Sequence, residues 1–249
     1  MLRNRGSLTL SPVARFEDML AIECEAMRGA DILVHLNWEE EAVFQNLLPD
    51  KRHALLYPAV GAMPAGTGGG PSIIVASANY PNFLGLTWFL REVLPLAPGA
   101  AVQIFGNIDR MMQWRAPILF KDHAGRFRGR AEAKELDCAY RNVAAVLLPA
   151  TAGHGISIKT IEALSCGAPL VATPLAFRGF PSGADKLPNV KIEDSADGFA
   201  AALRSLQGSG TPAHIDRASS PTRRFYEQHF SFSTYRNSLL AIVQKALAA

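Results

Sequence analysis

Gly153-His154-Gly155-Ile156-Ser157-Ile158-Lys159, with Glu162 three residues further on, gathers the residue types that hold phosphate. The run follows an apolar stretch closed by Pro149 and leads into residues 157–165, which carry the pattern of a helix. A helix that opens directly after a glycine turn presents unbonded N–H groups and the positive end of its dipole. Glycines at 153 and 155 let the backbone approach a ligand closely. Ser157 adds a hydroxyl donor, and Lys159 adds a cation in the first turn. A diphosphate suits such a seat. The same residues also describe a glycine-loosened turn with no ligand. On that reading Lys159 is a solvated lysine, Glu162 an exposed helix residue, and His154 an idle loop side chain.

The rest of the chain narrows the classes of partner. Its 249 residues are 49% apolar and 19% charged, a composition that supports a folded core. The formal net charge of +3 is too small, and its basic residues too scattered, to point to nucleic acid or an anionic membrane. Cys24, Cys138 and Cys166 lie far apart, which argues against a disulfide framework or a zinc site and fits a reducing cytoplasm. No apolar run follows the charged start as a signal peptide requires, and none reaches the roughly 18 residues of a membrane span. Association with a membrane-bound acceptor lipid stays compatible with this.

Elements that could position the phosphate seat alternate along the chain. Residues 14–28 read as an amphipathic helix ended by Gly29, 30–36 as a buried strand, and 38–47 as a helix capped by Asn37 with Glu39, Glu40 and Glu41 in its first turn. A strand over 54–57 ends at Pro58. Residues 61–71, Gly-Ala-Met-Pro-Ala-Gly-Thr-Gly-Gly-Gly-Pro, hold no regular element, and we place a hinge there. Strands then follow at 72–77, 101–105, 126–128, 143–148, 169–173 and 190–192. Helices fall between and after them at 82–94, 132–141, 157–165, 194–206, 221–229 and 232–248, while Pro117 leaves 110–123 ambiguous. Strands that are apolar without alternation are covered on both faces, and their alternation with helices implies a doubly wound parallel sheet. Ligands of such sheets bind at the carboxyl ends of the strands, near a switch point.

The longer pattern is more specific. Pro149 to Gly179 includes Glu162-Ala-Leu-Ser-Cys-Gly167-Ala-Pro169-Leu-Val-Ala-Thr173 and then Ala176-Phe-Arg-Gly179. This block resembles the donor-binding signature of glycosyltransferase family 4 and its relatives of the GT-B fold. Residues 74–82 with 88–95 look like the first unit of that family's donor domain, and Phe127-Arg-Gly129 before an acidic helix ending at Tyr140 looks like its middle. Residues 30–36 with Glu40 and Glu41 look like the end of its acceptor domain, and Tyr57-Pro-Ala-Val60 like the crossing between the two.

The resemblance implies an α/β fold, a Rossmann-like doubly wound sheet with a short N-terminal appendage. It implies residues 1–60 as a remnant of the acceptor-side domain, 72–230 as the nucleotide-sugar domain, and 231–249 as a C-terminal helix. It implies sugar transfer from a nucleoside diphosphate sugar, with retention, to a glycan or lipid-linked acceptor such as one used in polysaccharide synthesis. No metal is implied, and the sequence has no Asp-x-Asp motif to hold one. The implied donor contacts are Asn82, Gly129, Arg130, Gly153, Gly155, Ser157, Ile158, Lys159 and Glu162, with Glu162 on the ribose hydroxyls. The family pairs that glutamate with another eight residues earlier; here that position is His154, the candidate catalytic residue. The family's Arg and Lys after the first donor strand are replaced by 77–82, which has no cation, so Lys159 takes over part of their role. About 60 residues precede the hinge, fewer than an acceptor domain needs, so either the gene is split or truncated or a partner chain supplies the rest. Rival expectations are a degenerate structural or regulatory subunit and a nucleotide-sugar epimerase. A dinucleotide oxidoreductase fits poorly, because no acidic residue ends the strand 169–173.

Overall fold

The computed structural model describes residues 15–208 and 216–247. The expected helix limits at residues 14 and 248 lie outside these residues. Among them the chain builds a small N-terminal lobe and a larger α/β domain.

The lobe comprises α1 (Phe16–Met27), β1 (Ile32–His35), α2 (Trp38–Leu47) and β2 (Arg52–Leu55), with β1 and β2 paired in parallel. Asn37 caps α2 as expected: its side-chain oxygen accepts from the Glu40 N–H at 2.9 Å. The second strand begins at Arg52 and ends two residues before Tyr57, where the apolar run pointed. His53 explains the shift. Its Nε2 donates to the Leu48 carbonyl at 2.9 Å, which leaves Nδ1 to accept from His35 Nε2 at 2.9 Å. These bonds bring a polar pair into the strand register. The amphipathic helix α1 buries none of its residues fully, with Cys24 and Met27 packed in part against Leu33, Phe44 and Leu48.

Six strands form the second sheet: β3 (Ser72–Val75), β4 (Val102–Phe105), β5 (Phe127–Gly129), β6 (Val146–Leu148), β7 (Leu170–Ala172) and β8 (Val190–Ile192). All pair in parallel, in the order β5-β4-β3-β6-β7-β8. Counted from β3 this is 3-2-1-4-5-6, a doubly wound sheet whose direction reverses between β3 and β6. Helices follow on both faces: α3 (Tyr80–Trp88), α4 (Ile108–Arg115), α5 (Pro117–Asp122), α6 (Ala133–Asn142), α7 (Ile158–Ser165), α8 (Ala196–Gly208), α9 (Pro221–His229) and α10 (Phe232–Leu247). Neighbouring strand residues separate into two cores. Ile74, Leu147 and Val171 pack with Leu86, Phe89, Met112 and Phe199 on one face. Ile73, Val146 and Leu170 pack with Tyr140, Ile161, Leu164 and Phe230 on the other. Each large side chain so buried contributes roughly 1.5–3 kcal/mol, which is why these strands need no polar alternation.

Prolines account for two departures. Residues 82–94 read as one helix, but α3 begins at Tyr80 because Asn79 is its cap, accepting from Asn82 N–H at 2.8 Å, and Pro81 sits in the first turn where its missing N–H costs nothing. The helix then widens over Phe89–Val93. Pro117 opens α5 instead of interrupting one helix.

The segment 61–71 runs along the α/β domain. Gly68 N–H donates to Arg141 O at 3.3 Å and Gly70 N–H to Asn142 O at 2.6 Å, both at the end of α6. Met63 N–H donates to Ser165 Oγ at 2.8 Å, and Arg223 Nη1 reaches Met63 O at 3.3 Å.

Three histidines couple this fold to pH. Burial lowers the pKa of His35, His123 and His229; Arg126 adds to the effect at His123. At His35 the carboxylates of Glu40 and Glu41 oppose burial, while His53 reinforces it. The folded chain therefore binds fewer protons than the unfolded chain below the ordinary value near 6.5. The stability they contribute is complete above that value and is lost as pH falls through the lowered folded values. We expect the melting temperature to drop on acidification from pH 7.5 to 5 in a scanning melt. A constant value across that range would show that the rings are not desolvated by folding.

Candidate functional site

Two adjoining cavities open at the carboxyl ends of β3, β4 and β6, where the strand order reverses. One, about 510 Å³, is lined by Ala76, Pro81, Asn82, Pro149, Ala152, Ser157 and Lys159 among others. The other, about 570 Å³, is lined by Ser77, Phe105, Gly106, Asn107, Arg130 and Lys159 among others. Lys159 lines both, so one ammonium group serves the whole cleft.

The two cavities share Val75, Ala76 and Lys159, and the glycine loop leads into the helix that carries Lys159. Gly153 and Gly155 adopt φ of 128° and 73°, in the left-handed region that a residue with a Cβ enters only under strain. Ser157 caps the helix, with Oγ accepting from Thr160 N–H at 3.2 Å, and its own hydroxyl proton stays free to donate. Among the described residues, the N–H groups of His154, Ile156, Ser157, Ile158 and Lys159 find no acceptor in the chain. Three free amides at the helix start, two more in the loop before it, and an ammonium group are the donor types that an anion site uses. Thr160 is fully buried, and its hydroxyl donates to Ala176 O at 2.8 Å, tying α7 to the segment after β7.

Lys159 Nζ also bonds Glu162 Oε2 at 2.8 Å, and the Glu162 side chain is only 13% exposed. Glu162 does not line either cavity; it stands behind Lys159, one helical turn on. Tyr140 of α6 is fully buried, and its hydroxyl has no hydrogen-bond partner among the described residues. Burial, then the charge of Glu162, pushes its ionisation well above the usual tyrosine range. The carboxylate is thus paired with an ammonium and close enough to a neutral phenol to act on its ionisation.

Four of the ten residues singled out in the sequence line the two cavities. Asn82, Ser157 and Lys159 line the first cavity and Arg130 the second. Asn82 Nδ2 is engaged by the carbonyl and hydroxyl oxygens of Ser77 at 3.0 and 3.1 Å, which closes the cation-free loop on itself. Gly129, at φ 69°, offers its carbonyl to Gly106 N–H at 2.7 Å and so shapes the second cavity from behind. His154 is exposed at the loop tip and lines neither cavity, and Ile158 is exposed on α7. Sequence reasoning missed Arg178, whose Nη1 and Nη2 donate to Gly153 O and Gly155 O at 2.7 and 2.9 Å. Its only advance signal was its place inside the Ala176-Phe-Arg-Gly179 run.

Solved structures share this architecture. Sucrose-phosphate synthase from Thermosynechococcus elongatus aligns with a TM-score of 0.68 at 15% identity, covering 94% of this chain and 63% of that one. HepE from Anabaena, solved in complex with UDP, aligns at 0.68 and 14% identity, covering 95% and 70%. The pneumococcal O-GlcNAc transferase GtfA, solved with UDP and GlcNAc, aligns at 0.59 and 16%, covering 90% and 47%. At these identities the likeness establishes the fold, and the chain spans less than two thirds of the synthase's length. Among curated protein sequences none matches. The alignment that reaches below the fold is to the glycosyl transferases group 1 family, whose model matches residues 70–208, from the glycine segment before β3 through the end of α8, and the chain belongs to that family.

Proposed function

We propose that the chain is the donor-binding part of a retaining glycosyltransferase and holds a nucleoside diphosphate sugar for transfer to a glycan or lipid-linked acceptor. One observation carries this reading: Ser157 and Lys159, whose backbone amides are unbonded, line a cleft at the sheet's reversal point together with the Lys159 ammonium group. These groups suit the charge that grows on a departing diphosphate, so amides and an ammonium, not a metal, do the stabilising. Glu162, one turn behind Lys159, is the group for the ribose hydroxyls. Residues 1–60 then form an acceptor-side lobe, 61–71 a linker, 72–230 the donor domain and 231–249 a C-terminal helix.

In this reading a partner chain supplies further acceptor-side structure. Phe16, Ile22 and Val34 in the lobe, and Leu240 and Val243 on α10, are large apolar residues left exposed. No helix among the described residues is long and apolar enough to cross a membrane. The setting we propose is the cytoplasm, at the inner face of a membrane where the acceptor is lipid-linked. A second reading, a nucleotide-binding subunit without turnover, draws support from His154, which lines neither cavity. Transfer lost on His154→Ala, with nucleotide affinity kept, would decide against that second reading.

Calorimetric titration with UDP, GDP and ADP tests the donor site directly; no heat with any of them at high protein concentration would overturn it. The Glu162→Ala variant tests the ribose contact. Hydrogen bonds to a charged group contribute about 1.5–3 kcal/mol, so its UDP affinity should fall at least roughly tenfold. Its affinity for inorganic pyrophosphate should hold or rise, because Lys159 is freed. Equal losses for both ligands would place Glu162 in a purely structural role.

A further inference from the structure

Arg178 joins the two lobes through the phosphate seat. It follows the short helical turn Pro174–Phe177 after β7. Its two terminal nitrogens are committed to the Gly153 and Gly155 carbonyls, the residues on either side of His154. Its third nitrogen, Nε, faces Glu39 Oε2 of α2 at 3.6 Å, with side chains 24% and 40% exposed. Beside this contact, Trp38 Nε1 of α2 donates to Phe180 O at 3.0 Å. One planar cation thus reads the position of the N-terminal lobe with one edge and the glycine loop with the other.

The peptide bond turns this into control over donors. A trans peptide is planar, so the carbonyl of one residue and the N–H of the next point in opposite directions. Fixing Gly153 O fixes the aim of the His154 N–H, and fixing Gly155 O fixes that of Ile156. Both amides belong to the unbonded set described above, and both glycines sit where the backbone has the freedom to rotate away. Arg178 contacts neither cavity of the donor cleft itself.

We propose that Arg178 is a positioning residue that aims the His154 and Ile156 amides, and that Glu39 sets Arg178, so that docking of the N-terminal lobe tunes the diphosphate seat. This rests on the donor-site reading above. Simple electrostatics makes the opposite forecast for Glu39: removing a nearby negative charge should tighten the binding of an anion. The signs therefore separate the two explanations.

The test uses the full chain and two readouts: the amide resonances of His154 and Ile156 without ligand, and calorimetric affinity for inorganic pyrophosphate and UDP. In Arg178→Ala both resonances should move and pyrophosphate affinity should fall about tenfold, the scale of one lost charge-assisted contact. Arg178→Lys should not restore it, because a single ammonium cannot span two carbonyls with a fixed fork. Glu39→Gln should weaken pyrophosphate about threefold, and adding it to Arg178→Ala should cost nothing more. Tighter or unchanged binding in Glu39→Gln, or unmoved resonances in Arg178→Ala and Arg178→Lys, overturns the proposal. Wild-type protein that binds neither UDP nor pyrophosphate defeats the donor-site reading instead, and the resonances still judge the clamp.

Discussion

Substituting Lys159 with alanine is expected to weaken UDP and inorganic pyrophosphate together, each by roughly 10- to 100-fold at moderate salt. Lys159 is the one cation lining the first cavity and one of two, with Arg130, lining the second. Its loss removes the positive charge and also leaves Glu162, 13% exposed, without its partner. An unpaired carboxylate close behind the seat repels the diphosphate, so the effect should exceed that of one lost hydrogen bond. If the proposed contact is with phosphate and not with base or ribose, both ligands should lose affinity equally. Calorimetry decides: retention of wild-type pyrophosphate binding would show that the diphosphate does not sit against α7. Lys159→Arg should keep most of the affinity, since the charge survives.

Gly85→Ala should unfold the chain several degrees earlier. Gly85 is buried in α3, and a Cβ there would overlap the Pro149 carbonyl at the end of β6. The obstacle is backbone on both sides, so relief requires α3 to move off the sheet. Overpacking of this kind costs typically 1–3 kcal/mol and occasionally more, against about 1 kcal/mol regained from replacing a helical glycine. We expect a net loss of up to about 2 kcal/mol and a fall in Tm of up to about 4–8 °C. The same shift drags Pro81, Asn82 and Leu86, which line the first cavity, so UDP affinity should fall as well. A melting temperature equal to or above wild type would mean that α3 does not approach Pro149 this closely.

What the sequence reveals and what it conceals follow from range. Ile73-Ile74 and Val146-Leu147 are apolar on successive residues, which only a sheet covered on both faces explains, and each pair does divide between the two cores. Ser157, Lys159 and Glu162 are legible because a helix sets their mutual positions: the cap bonds three residues ahead, and the ion pair spans three. Strand β2 is misplaced by an apolar reading because His53 earns its place through a carbonyl five residues away, not through burial. Asn82 resembles the start of α3, but Asn79 is the residue whose side chain caps it. Arg178 was invisible for a different reason. Its bonds reach 25 and 23 residues back and across to α2, and nothing local to Ala176-Phe-Arg-Gly179 encodes them.

The glycines of 66–70 carry a practical lesson for anyone cutting or splicing this chain. Glycine-rich stretches are the usual place for a tag, a graft or new termini, yet tolerance depends on how the affected backbone is bonded and buried. Here side chains are missing because chain lies against chain: a methyl group on Gly66 or Gly70 would collide with the backbone of Arg141 or Asn142. A peptide inserted there would act as a wedge, prying the end of α6 from its seam. The turn at Gly99 is the better point of entry if the glycine itself is kept, because its surroundings are open but its φ of 82° strains any residue with a Cβ.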